Sequence, residues 1–97
     1  MKISIISGSQ RPVSQSAKVA AHIAGRLPDV VPGASSYVLE LGKAELPLWD
    51  ESMWSGDESP LKTAWKPISA ELASSDALIV IAPEWHGMVP PALKNFL

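Results

Sequence analysis

No cysteine occurs anywhere in the 97 residues. That absence excludes a disulfide framework, a thiolate metal site and a thiol nucleophile. Histidine is nearly as scarce: His22 and His86 are the only two, and they lack ligand spacing, so no metal site is expected. A large excess of one charge is missing as well. Eight Lys and Arg against ten Asp and Glu give a formal net charge of -2, which leaves no basic face for the counterion release that nucleic-acid binding requires. No apolar run reaches the length that crosses a bilayer. Met1-Lys2-Ile3 leads straight into a strand-like run and not into a cleavable apolar leader. Together these absences point to a cytoplasmic protein with neither nucleic acid nor membrane as its partner.

What is present is the composition of one globular domain. Ile3 to Ile6 reads as a buried strand, short, β-branched and ended by Ser7-Gly8-Ser9. A helix is expected from about Ser14 or Ser16 to Leu27, with Ala17, Ala20, Ala21, Ile23, Ala24 and Leu27 at helical spacing and Pro28 as its stop. Ser36 to Leu41 alternates and reads as a second strand. Gly42 to Gly56 reads as a long connecting loop with room for a helical turn. Ser59-Pro60 then opens a helix, a hydroxyl cap followed by a first-turn proline. Pro67 falls inside it and predicts either a kink or a break near Trp65. Ala77 to Ala82 is the third strand and the most apolar run, and a last helix is expected over Pro91 to Leu97. Strands alternating with helices predict an α/β fold, a parallel sheet with right-handed crossovers.

Two segments follow directly on strands one and three, so a parallel sheet places both at its carboxyl end, where open α/β sheets bind ligands. The first is Gly8-Ser9-Gln10-Arg11-Pro12-Val13-Ser14-Gln15-Ser16. A phosphate monoester needs converging donors and some positive charge, and a helix amino terminus supplies both. Ser9, Ser14 and Ser16 offer hydroxyls and Arg11 a charge-assisted fork. The same residues also read as helix caps and a solvated surface charge. A Walker lysine and a full Gly-x-Gly-x-x-Gly run are both absent, which disfavours a nucleoside triphosphate or a Rossmann dinucleotide.

The second segment is Pro83-Glu84-Trp85-His86-Gly87, continued by Met88-Val89-Pro90-Pro91. A proline, an aromatic and a glycine at a strand end can turn backbone N–H groups toward the polar edge of a ring, with Trp85 and Met88 as apolar walls. Core packing is the alternative for Trp85, and a surface histidine the alternative for His86. Hydroxyls and a guanidinium on one loop, with an aromatic-glycine turn on the other, fit a phosphorylated planar ligand such as flavin mononucleotide (FMN).

Gly8-Ser9-x-Arg11-x-x-Ser14-x-Ser16 and Pro83-Glu84-Trp85-His86-Gly87, followed by Leu93-Lys94-Asn95, together resemble the NADPH-dependent FMN reductase family. That family is a branch of the flavodoxin-like folds and includes quinone, azo-dye and chromate reductases. The resemblance runs over essentially the whole chain, and Leu46-Pro47-Leu48-Trp49 is similar to the family's loop after strand two. It implies that Ser9, Arg11, Ser14 and Ser16 bind the FMN phosphate. It also implies that Pro83, Glu84, Trp85, His86 and Gly87 line the isoalloxazine, largely through backbone groups. Trp85 stands where the family usually has tyrosine, and Ser16 where it often has asparagine.

The implied activity is electron transfer from NADPH, or NADH, through bound FMN to a small-molecule acceptor: a quinone, an azo compound, a metal oxyanion or a free flavin. The flavin carries the chemistry, so no catalytic side chain is expected. A homodimer or homotetramer is the implied assembly. The alternatives are a non-enzymatic FMN-binding or electron-transfer module and a truncated fragment without flavin. Flavodoxins resemble a Thr/Ser-x-Thr-Gly-x-Thr phosphate loop, which does not occur here. Family members continue for about as many residues again, so 1–97 is expected to be a flavodoxin-like FMN-binding domain lacking strands four and five. Strand three would then be an apolar edge open to pairing or aggregation, and FMN binding by the chain alone would be weak.

Overall fold

The computed structural model describes residues 1–44 and 46–97. Three parallel strands, β1 (Lys2–Ser7), β2 (Ser35–Glu40) and β3 (Ala77–Ile81), form one sheet in the order β2-β1-β3. This is the expected flavodoxin-like arrangement. β1 is central because both of its faces are apolar enough to be covered: Ile3, Ser4, Ile5, Ile6 and Ser7 are all buried.

The register explains the two layers. Ile5 pairs with Val38 on one side and Ile79 on the other. These residues, with Ile3 and Ile81, pack under Ala20, Ile23, Ala24 and Leu27 of α1 (Gln15–Val30). The opposite face carries Ile6, Tyr37 and Leu39. It is covered by Trp65, Ile68 and Leu72 of α2 (Pro60–Ala73) and by Leu93 and Phe96 of α3 (Pro91–Phe96). Leu78 and Val80 share that face through their pairing with Ser4 and Ile6, yet remain 51% and 38% exposed. β3 pairs on one side only among the described residues.

One proline behaves differently from expectation. Pro28 does not stop α1, which continues to Val30 and closes with the Val31 N–H donating to the Leu27 carbonyl at 2.8 Å. Pro28 sits in the last turn, where its fixed φ suits the helix and its missing donor costs one ladder bond near a frayed end. Of the two alternatives for Pro67, the break near Trp65 does not occur: the residue lies inside a continuous α2. It is exposed, so the carbonyl it leaves without a partner can turn to water. In the long connection, the helical turn is a 3-10 turn at Glu51–Trp54 capped by Asp50. Hydrogen bonds from Ser52, side chain and then backbone, hold the Asp50 carboxyl below the usual carboxylate range. The cap is therefore present at neutral pH and is lost on acidification as that carboxyl takes up its proton.

At the amino end of the sheet, the Lys2 ammonium bonds the Glu71 carboxylate and the Ser74 hydroxyl, while its backbone N–H reaches Asp76 at 2.8 Å. Burial pushes the Tyr37 hydroxyl pKa up; Glu71 adds to the shift and Lys2 opposes it. This polar clip fixes where β3 starts and lies at the end of the sheet opposite the two loop segments.

Candidate functional site

At the carboxyl end, the Gly8 N–H donates to the Ile81 carbonyl at 2.9 Å and ties the tip of β1 to the tip of β3. A Cβ at Gly8 would stand 2.5 Å from that carbonyl oxygen and 2.8 Å from Leu93 Cδ2, so only glycine allows the approach. The chain then turns over Ser9, which is buried and accepts the Arg11 N–H on Oγ at 3.2 Å. Arg11 itself is exposed, with no ion-pair partner among the described residues. From below, Gly42 presses so close that a Cβ there would meet the Arg11 carbonyl oxygen at 2.1 Å.

Ser14 caps α1 in extended backbone, its Oγ accepting the Ala17 N–H at 3.1 Å. The capping role of Ser14 is thus realised. It does not consume the hydroxyl proton, because a serine oxygen that accepts still has one O–H to donate. The same holds for Ser9. Ser16 is buried in the first turn, where the N–H groups of Gln15 and Ser16 have no intrahelical acceptor. Hydroxyls, first-turn amides and one free guanidinium are the donor set that a phosphate monoester requires.

The segment after β3 is a tight hairpin. Trp85 N–H donates to the Met88 carbonyl at 2.8 Å and Met88 N–H to the Trp85 carbonyl at 2.9 Å. His86 and Gly87 between them have φ of 51° and 74°. Glu84 Oε1 accepts the Gly87 N–H at 2.8 Å. Pro83 and Trp85 are half-buried, whereas Glu84, His86 and Gly87 are exposed. Trp85 joins neither apolar cluster of the core, so the core-packing alternative does not hold for it. His86 is at the surface, as its alternative reading had it.

The structure thus brings the two segments to neighbouring strand ends, joined by the Gly8–Ile81 bond and by Gln10 Oε1, which accepts the Ala92 N–H at 3.2 Å across to α3. Gln10 has no signal beyond its place in the loop, and sequence reading passed over it. Asn95 entered the sequence reading only within Leu93-Lys94-Asn95, with no role given to its amide. Its Nδ2 donates to the Pro47 carbonyl at 3.0 Å and its Oδ1 accepts the Trp49 N–H at 2.7 Å, pinning the loop after β2 onto α3. That loop also builds an aromatic chain, with Trp49 edge-on to Trp54 and to Trp65 at 6.1 and 5.4 Å between ring centroids, and Trp65 stacked on Phe96 at 5.3 Å. A cavity of about 550 Å³ lies beside it, lined by Trp49, Trp65, Pro91, Lys94, Asn95, Phe96 and Leu97, none of them an expected site residue.

Asn95→Ala removes both clamps at once. With each hydrogen bond contributing about 0.5–1.5 kcal/mol, a stability loss of about 1–3 kcal/mol is expected, with faster chymotryptic cleavage at Leu48–Trp49. An unchanged cleavage rate would show that the loop is held by its aromatic packing alone.

An open parallel sheet in the order β2-β1-β3, with a donor-rich loop and an aromatic turn at adjacent strand ends, has the flavodoxin-like arrangement. The chain belongs to the NADPH-dependent FMN reductase family, whose model matches residues 1–97. It is similar to two quinone reductases of Pseudomonas putida, one of them from strain KT2440. Each is 32% identical over 93 residues, covering 96% of this chain and 46% of the relative. The chain spans about half the length of these curated relatives. Among the described residues no helix is long and apolar enough to cross a membrane, and no cluster of His, Cys, Asp or Glu could hold a metal ion.

Proposed function

We propose that residues 1–97 form the FMN-binding domain of a cytoplasmic flavoenzyme that takes electrons from NADPH or NADH and delivers them to a small-molecule acceptor. A quinone is the first acceptor to test, since the similar proteins are quinone reductases; azo compounds, metal oxyanions and free flavin are the others. The observation that carries this reading is the adjacency of the two segments, bonded through Gly8 and Ile81. Bound FMN would supply the acceptance of hydride from the nicotinamide and the release of electrons to the acceptor.

The chain's own residues bind and orient. The hydroxyls of Ser9, Ser14 and Ser16 keep their protons available for phosphate oxygens, and Arg11 supplies the positive charge. Pro83, Glu84, Trp85, His86 and Gly87 would lie along the isoalloxazine, with Trp85 and Met88 excluding water from its face. Exposed Leu78 and Val80 support a sheet that adds strands at the β3 edge, and exposed Leu48 and Trp54 support a homodimer or homotetramer.

Arg11→Ala should weaken FMN binding about tenfold to a hundredfold, the equivalent of a charge-assisted hydrogen bond of about 1.5–3 kcal/mol. Titration followed by the quenching of flavin fluorescence measures it. Equal affinities would leave Arg11 as a surface charge.

A further inference from the structure

The hairpin after β3 holds a residue in an unfavourable conformation. His86 is, among the described residues, the non-glycine residue with positive φ, and with Gly87 it makes the two-residue turn in which both central positions are left-handed. Glycine takes that geometry freely; asparagine, aspartate and histidine are the residues next most often found in it, the first two the more routinely because their short side chains bond locally.

The turn's own bonds are accounted for by the Trp85–Met88 pair. The Gly87 N–H takes no part in that pair and would otherwise face solvent. Glu84 captures it from outside the turn through Oε1 at 2.8 Å. An amide donating to a carboxylate makes one of the stronger hydrogen bonds available, about twice a neutral one. With Trp85, Gly87 and Met88 N–H all engaged, His86 N–H is the amide of the turn without a partner among the described residues.

We propose that Glu84 is a positioning residue: its carboxylate latches the Gly87 amide, holds His86 left-handed and so sets the direction in which the Trp85 ring and the free turn amide meet a bound ring. The assignment rests on the flavin reading above and differs from it on one point. The Glu84 side chain acts through the turn and not on the ligand.

The test uses the 97-residue chain and the variants Glu84→Ala, Glu84→Gln, His86→Asn and the Glu84→Ala/His86→Asn pair. Amide hydrogen exchange followed by NMR, without flavin, reads the latch directly. Gly87 should exchange about tenfold faster or more in Glu84→Ala, as loss of a charge-assisted bond requires, while β1 amides stay unchanged. FMN titration reads the consequence: Glu84→Ala should bind about tenfold more weakly. Glu84→Gln, which keeps an acceptor oxygen, should recover most of that loss. His86→Asn should recover at least half of it in the Glu84→Ala background, because asparagine adopts the left-handed backbone by itself.

Failure of His86→Asn to rescue would mean that Glu84 contacts the ligand directly, and would overturn the proposal. Unchanged Gly87 exchange in Glu84→Ala would overturn it too. A wild-type chain with no measurable FMN affinity would match the weak binding expected without strands four and five, and Gly87 exchange would then decide the latch alone.

Discussion

Gly8→Ala is expected to destabilise the fold by about 2–6 kcal/mol and to part the first loop from β3. The added methyl would sit 2.5 Å from the Ile81 carbonyl oxygen and 2.8 Å from Leu93 Cδ2. Neither neighbour can withdraw cheaply. The carbonyl accepts the Gly8 N–H at 2.9 Å, and Leu93 is fully buried. Overpacking costs about 1–3 kcal/mol, and a backbone bond broken to relieve it leaves a desolvated donor at about 1–3 kcal/mol more. Small domains hold only about 5–15 kcal/mol of stability in total. Gly25 provides the contrast: it lies in α1, and a methyl added there would have nothing within 4 Å of it. Gly25→Ala should stabilise by about 0.5–1 kcal/mol, since glycine inside a helix costs that much relative to alanine. Urea denaturation of the two variants decides the matter. Shifts of the same sign would mean that close approach at Gly8 is not what the position demands.

Much of this was readable in the residues because the local signals agree with the tertiary ones. Ile3 to Ile6 is mostly apolar and is buried on both faces as β1, whereas Ala77 to Ala82, apolar throughout, leaves Leu78 and Val80 exposed on one face of β3. Ser14 and Ser59 sit where caps are needed, and both accept an N–H from their helices as caps do. Pro28 misled because a proline rule describes the helix interior in isolation, whereas Pro28 lies in the last turn, where one ladder bond fewer costs little. The site was legible as two motifs but not as a connected surface. Gln10 and Asn95 act across 82 and 46–48 residues of sequence, and no local pattern announces a bond of that range. The close packing of Gly42 on Arg11 is equally invisible from sequence, because it depends on how the loop after β2 lies against the first loop.

Leu93→Ala should cost about 2–5 kcal/mol, the range for a fully buried leucine whose site collapses only in part. α3 is six residues long and covers its face of the sheet through Leu93 and Phe96, with the Gln10–Ala92 and Asn95 hydrogen bonds as its polar ties. Leu78→Ala, at a position half exposed on the same face, should cost less than about 1 kcal/mol by the area it buries. The informative measurement is the double variant. Leu93→Ala deletes Cδ2 and so removes one of the two obstacles to a methyl at Gly8, leaving the Ile81 carbonyl as the other. The two substitutions should therefore be non-additive. The double variant should be more stable than the sum of the singles predicts by about 0.5–3 kcal/mol, the range for residues in direct contact. Phe96→Ala combined with Gly8→Ala should couple less, because the three atoms nearest to a Gly8 methyl belong to Ile81 and Leu93. If Gly8 and Leu93 combine additively, α3 does not support the first loop through that contact. The first loop would then be tied to β3 by the Gly8–Ile81 hydrogen bond and not through α3.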